Sequence, residues 1–151
     1  MASPSDIARW MREQHAKVEA VVAKLNGRVA AIPRANVGPW IEALRDEFER
    51  FRAHMHKHIA LEEEGGYLAS VIQLRPTTHD EVGRLMTEHR ELALLLTSIF
   101  DEVSHLQTDS PLHIRDACAR IQNLIGMLEH HENHENMLVS HVFTQDMGSH
   151  D

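Results

Sequence analysis

Two pairs of residues spaced four apart, His58 with Glu62 and His131 with Glu135, stand out among the 13 histidines and 23 acidic residues of this 151-residue chain. On a helix, side chains four apart share a face with Cβ atoms about 5–6 Å from each other, so an imidazole and a carboxylate can point at one cation. Two single histidines, His15 and His89, interrupt apolar runs of the same kind. Four imidazoles and two carboxylates make a nitrogen and oxygen donor set that suits iron, manganese or zinc, and open coordination positions favour iron. Six protein groups exceed the three that an open catalytic zinc uses. They suit two ions, with Glu62 and Glu135 bridging and two histidines on each.

These residues need helices to position them, and the apolar pattern supplies four. Ser3, Pro4 and Asp6 have the types and spacing of a capped helix start, followed by a seam of Ala8, Met11, Val18, Val22, Leu25 and Val29 in which position 15 is His15. This helix is expected over 4–30, with Pro33 and Gly38-Pro39 forming the turn. The second, over 39–64, reads Ile41, Leu44, Phe48, Phe51 and Met55 and ends on His58 and Glu62. Gly65-Gly66 stops it, and the link to Arg75-Pro76 is expected to be irregular or briefly helical, laying Tyr67, Leu68, Val71 and Ile72 on the bundle end.

Thr78 and Glu81 have capping-box spacing ahead of a third helix over 79–107, with the seam Val82, Leu85, His89, Leu92, Leu96, Ile99, Val103 and Leu106. Ser110 and Pro111 open a fourth over 111–146, with Ile114, Ala117, Ile121, Leu124, Leu128, His131, Glu135, Leu138 and Val142. Four such helices with modest links predict an all-α, up-down-up-down antiparallel four-helix bundle, one domain spanning 1–151.

Depth and charge both bring the polar seam positions together. His89 and His131 lie about 18 and 20 residues from their shared turn, so at ~1.5 Å rise per residue they differ by about 3 Å in height. A carboxylate on a core seam is costly unless something positive meets it, and the seams carry no Lys or Arg. Glu62 and Glu135 therefore call for a cation. Three further histidines rank behind the six: His54, one turn before His58 but one residue off the seam, and His130 with His134, on a less apolar stripe shared with Met127, Met137 and His141. His56, His79, His105, His113 and His150 read as surface residues. Glu63, Glu64, Glu129 and Glu132 read as a solvated acidic face near the mouth, with Glu63 able to approach if the helix rotates. Leu92, Leu96 and Leu128 should keep the site dry, with Tyr67 and Trp10 as candidate shields.

Composition removes several function classes. A net charge of -8 without a Lys/Arg cluster excludes a nucleic-acid surface. No apolar run approaches the length of a membrane span, and the first residues lack the basic and apolar regions of an export signal, so a cytoplasmic protein is expected. Cys118 stands alone, which rules out an internal disulfide and a thiolate zinc knot. No phosphate loop or nucleophile elbow is present.

The order His15, His58-x-x-x-Glu62-Glu63, His89, His131-x-x-x-Glu135 resembles the haemerythrin family, in particular its HHE cation-binding branch, over essentially the whole chain. The resemblance implies a non-haem di-iron centre with an oxo or hydroxo bridge, reactive towards dioxygen, peroxide or nitric oxide, in oxygen or iron sensing or in oxidative or nitrosative stress handling. A peroxide-consuming oxidoreductase, an iron-donating repair protein, and a structural or regulatory bundle holding zinc are the alternatives; manganese is a further option for the metal. One departure bears on function. Oxygen-carrying members have a second histidine one turn after that of the third helix, where this chain has Ala93, and their last carboxylate follows its histidine by five residues rather than four. That turns the expectation away from simple oxygen carriage.

Overall fold

The structure, a computed structural model, describes residues 3–64 and 67–144. The seams become helices α1 (Pro4–Ala30) and α2 (Val37–Glu64), a short α3 (Tyr67–Leu74), then α4 (His79–Ser104) and α5 (Pro111–Val139). α1 packs on α2 and α5, and α4 packs on the same two, so the four long helices form a square bundle. The all-α four-helix expectation holds, and no strand occurs among the described residues.

Local chemistry sets the helix ends. At α1 the Ser3 hydroxyl accepts from Asp6 N at 3.2 Å while Asp6 Oδ2 accepts from Ser3 N at 3.3 Å, the reciprocal box expected from the sequence. Thr78 does not cap α4. Its hydroxyl instead donates to Arg75 O at 2.6 Å within a 3-10 turn, Pro76–Thr78, and Asp80 and Glu81 supply the negative charge that the first turn of α4 favours. Ser110 likewise makes no cap bond; its hydroxyl donates to Asp109 Oδ1 at 3.4 Å.

Gly38-Pro39, read as turn residues, lie in the first turn of α2, where the missing proline N–H is no loss. The reversal precedes them and ends on Asn36, whose φ of 57° is a left-handed value that asparagine tolerates. α4 stops at Ser104 rather than near 107. Here Arg45 reaches across from α2 and donates to Val103 O at 3.1 Å and Leu106 O at 2.7 Å, satisfying carbonyls at the helix end. α5 passes into a π turn, Ser140–Thr144, that buries Val142 and Phe143; the expected end at 146 and the Gly65-Gly66 stop lie outside the described residues.

The core is two apolar clusters. The larger, including Val18, Phe48, Phe51, Met55, Leu92, Leu96, Leu124 and Leu128, fills the bundle towards its α1–α2 and α4–α5 turns. The smaller, including Met11, Tyr67, Leu68, Val71, Leu85, Leu138 and Phe143, closes the other end, where α3 and the π turn lie. α3 is therefore the short helical link expected, with its apolar side turned inward.

Candidate metal centre

Between the two clusters runs a polar layer. Each seam crosses it at the positions singled out by spacing: Met11 to Val18 through His15, Met55 to Tyr67 through His58 and Glu62, Leu85 to Leu92 through His89, and Leu128 to Leu138 through His131 and Glu135. All six polar side chains are at most 4% exposed, and Glu62 and Glu135 are fully buried.

The layer divides into two groups of four that share both carboxylates. His15, His58, Glu62 and Glu135 bring one donor atom each within 4.8 Å of one another, and Glu62, His89, His131 and Glu135 do the same. The rings pair accordingly, with His15 and His58 centroids 5.6 Å apart and His89 and His131 centroids 4.7 Å apart. His15 Nε2 and His131 Nε2 each lie 3.3 Å from Glu135 Oε1, and His58 Nε2 lies 2.8 Å from Glu62 Oε1. His89 Nε2 stands between the carboxylates, 3.6 Å from Glu62 Oε1 and 3.7 Å from Glu135 Oε2.

These donors converge at 2.8–3.7 Å, but the contacts lack hydrogen-bond geometry. The Nε2 atoms of His15, His58, His89 and His131, both Glu62 oxygens and Glu135 Oε1 are buried with no hydrogen-bond partner. Buried polar atoms are normally paired, so a set of orphans aimed at common points is what a cation would satisfy. The donor set and the orphaned atoms fit a metal.

The outer ring nitrogens are held. His15 Nδ1 donates to Asn136 Oδ1 at 2.8 Å, His131 Nδ1 to Glu88 Oε1 at 2.7 Å, and His89 Nδ1 to Glu63 Oε1 at 3.2 Å. Such bonds fix ring orientation and leave Nε2 as the inward atom. His58 Nδ1 has no such partner. Tyr67, buried on α3, donates its hydroxyl to Glu135 Oε2.

Electrostatics favour positive charge in the layer. Burial works against charged His89, but the close approach and negative charge of Glu135 and Glu62 overcome it and push the group up to about 10. His15 and His131 are raised by the same contest, chiefly through Glu135. Burial also opposes the charge of Glu135, yet its close contacts with Glu62, His131, His15 and His89 hold it well below the usual carboxylate range. Tyr67 moves well above the ordinary phenol value, first from burial and then from the neighbouring carboxylates, so it stays a neutral donor.

The lower-ranked histidines do not join either group. His54 is half-buried, with burial and the nearby His58 lowering its pKa. His130 is exposed, and His134 lies 4.0 Å from Glu81 on α4. Ala93 is half-buried and offers no donor. Cys118 is buried, its thiol pushed up to about 11 by burial, and stands apart from the layer in the larger apolar cluster.

Two sequence expectations need correction. Glu132, read as solvated, is 6% exposed, and burial pushes its carboxyl up to about 7 against the pull of His15 and His58. The signal for this was present: Cys118, Ile125, Glu132 and Val139 recur every seven residues and form a second buried column that widens the inner face of α5. Glu63, grouped with the solvated acids, accepts from His89 although its own side chain is partly exposed. Glu88 and Asn136 were missed. Both face sideways towards a neighbouring helix, where seam periodicity carries no information; each adjoins a candidate ligand in sequence, as Glu63 does.

A four-helix bundle with a buried His/Glu layer between apolar ends defines a cation-binding bundle protein. The sequence model of the Hemerythrin HHE cation binding domain matches residues 6–140, and the chain belongs to that family. Comparison with curated proteins and with solved structures returned no significant match. No described helix is long and apolar enough to cross a membrane.

Proposed function

We propose that this chain is a non-haem di-iron protein that binds dioxygen or a related species, peroxide or nitric oxide, in oxygen or iron sensing or in oxidative or nitrosative stress handling. The observation that carries the reading is the pair of four-residue groups sharing Glu62 and Glu135. His15 and His58 would hold one ion, His89 and His131 the other, and the two carboxylates would bridge. Iron held there supplies changeable oxidation state and open coordination positions.

The chain's own residues prepare that centre. Asn136, Glu63 and Glu88 orient three of the imidazoles, and Tyr67 fixes Glu135 through Oε2. Leu92, Leu96 and Leu128, each at most 3% exposed, keep water from the layer on the side of the larger cluster. Met11, Leu85 and Leu138 do so on the other side.

Metal analysis of protein purified without added metal, followed by a visible spectrum of the reduced form under oxygen, tests the reading. Two irons per chain and a reversible charge-transfer band support it. Sustained consumption of peroxide with iron retained would make the chain an oxidoreductase instead. Zinc alone, with neither behaviour, would leave a structural or regulatory bundle.

A further inference from the structure

A cleft of about 370 Å³ opens between α1 and α5, lined by Val18, Val22 and Leu128 together with Glu19, Glu129 and Glu132. A second cleft, of about 400 Å³, adjoins it along the same helix pair. Glu19 and Asn136 line both, and His15 lines the second. Asn136 is also the residue that accepts from His15 Nδ1. The α1–α5 seam thus leads from solvent to the half of the polar layer formed by His15 and His58.

Charge in the first cleft is one-sided, whereas Arg12 lines the second beside His15 and Glu19. Glu19 and Glu129 are exposed at the mouth of the first cleft, and no residue lining that cleft is a lysine or arginine. Deeper in stands Glu132, more than nine-tenths buried, with Oε1 shielded from solvent and without a hydrogen-bond partner. An unpaired buried carboxylate is costly to keep. Glu132 belongs to neither group of four donors, so holding a resident ion does not account for it. By contrast, Glu88, on the cleft between α4 and α5, is already engaged by His131.

We propose that the α1–α5 cleft is a loading site for a divalent cation, where Glu19 and Glu129 gather the ion and Glu132 passes it to the side of the layer formed by His15 and His58. The inference rests on the metal-centre reading above. Acidic groups at a cleft mouth raise the local cation concentration and the association rate, and salt screens that gain. Glu132 acts in transit, so it governs how fast the centre fills rather than how much it holds.

The test uses the full chain stripped of metal and mixed with Co²⁺ alone, following growth of the visible absorption of Co²⁺ on imidazole and carboxylate. Glu132→Gln keeps the side-chain shape, and the double variant Glu19→Gln/Glu129→Gln alters only exposed positions. Each should fill about tenfold more slowly than wild type and reach the same final absorbance, with the salt dependence of the rate flattened in the double variant. Wild-type rates in both variants overturn the loading site and leave the metal centre standing. A lower final absorbance at unchanged rate in Glu132→Gln also overturns it, because Glu132 would then be a ligand. If Glu132→Gln loses its helical circular dichroism, the double variant decides alone. A wild-type chain that develops no Co²⁺ absorption overturns the metal-centre reading, and the loading site with it.

Discussion

Tyr67 donates its hydroxyl to Glu135 from a short helix lying across the end of the bundle, so an element outside the four seams holds one of the two shared carboxylates. The phenol is 4% exposed and Glu135 is fully buried, which leaves water little access to replace the bond. Tyr67→Phe should keep the fold, since the ring still packs with Met11 and Leu68. It should lower metal affinity by about 10–100-fold, the usual effect of losing a residue that orients a ligand. Competition against a chelator of known affinity reads this directly; unchanged affinity would reduce Tyr67 to a packing role.

Glu88 holds His131 at 2.7 Å and touches neither His15 nor His58 by hydrogen bond. Glu88→Ala should therefore weaken one of the two ions by about 10–100-fold and leave the other near its wild-type affinity. A metal titration that is uniform in the wild type should split into two steps. Equal weakening of both ions would mean that the two groups of four do not act as separate positions.

How much of this was legible in the sequence follows from which way each side chain faces. Residues that point inward to the bundle axis repeat at three and four, and periodicity found them: His15, His58, Glu62, His89, His131 and Glu135 all lie in the buried layer. Residues that face a neighbouring helix sideways have no such signature, so Glu88 and Asn136 were invisible, and the bond from His89 to Glu63 depends on the placement of α2 against α4. Helix ends were legible where the satisfying group is local, as in Ser3 with Asp6. They were not where it is remote, as in Arg45 with Val103, 58 residues apart. Tyr67 could be assigned to the bundle end from its apolar neighbours, but its partner could not, because 68 residues separate it from Glu135.

Glu62 and Glu135 carry the distinction between one ion and two. Replacing either by Ala should abolish binuclear loading, and two irons per chain surviving in either variant would sink the bridging assignment. Stability offers a second readout. A ligand at about 100 times its Kd adds about 2.7 kcal/mol to a site that binds only the folded chain, so wild-type Tm should fall on treatment with a chelator. In Glu62→Ala that response should shrink.

Gly83 and Gly126 sit within α4 and α5 on exposed faces, and a Cβ at either would meet no atom within 4 Å. Neither has a positive φ, so glycine's freedom serves no purpose in the folded backbone. Each Gly→Ala change should raise stability by about 0.5–1 kcal/mol by restricting the unfolded chain and favouring the helix. Urea unfolding of the metal-loaded and chelator-treated forms should show the same gain, since neither glycine contributes a donor to the polar layer.

Arg28 and Glu47 join α1 to α2 through two bonds, Arg28 Nε to Glu47 Oε2 at 3.0 Å and Arg28 Nη2 to Oε1 at 2.8 Å. The guanidinium bond holds the Glu47 carboxyl below its ordinary value of 4.5, outweighing the smaller opposing effect of burial. A carboxyl lowered in the folded state contributes stability that is present above its unfolded value and is lost as pH falls through the folded one. Glu47→Gln should therefore be less stable than wild type by about 0.5–1 kcal/mol at neutral pH, the scale of a partly exposed ion pair. The difference should shrink as pH falls below the ordinary carboxyl value of 4.5 and through the lower folded one, as the wild-type carboxyl takes up its proton. Urea midpoints measured from neutral pH down to about 3 follow it, provided that the chain stays two-state there. A gap that persists unchanged to the lowest pH would assign the loss to packing around Trp40, which donates to the carbonyl of the same Arg28 at 3.2 Å, rather than to the ion pair.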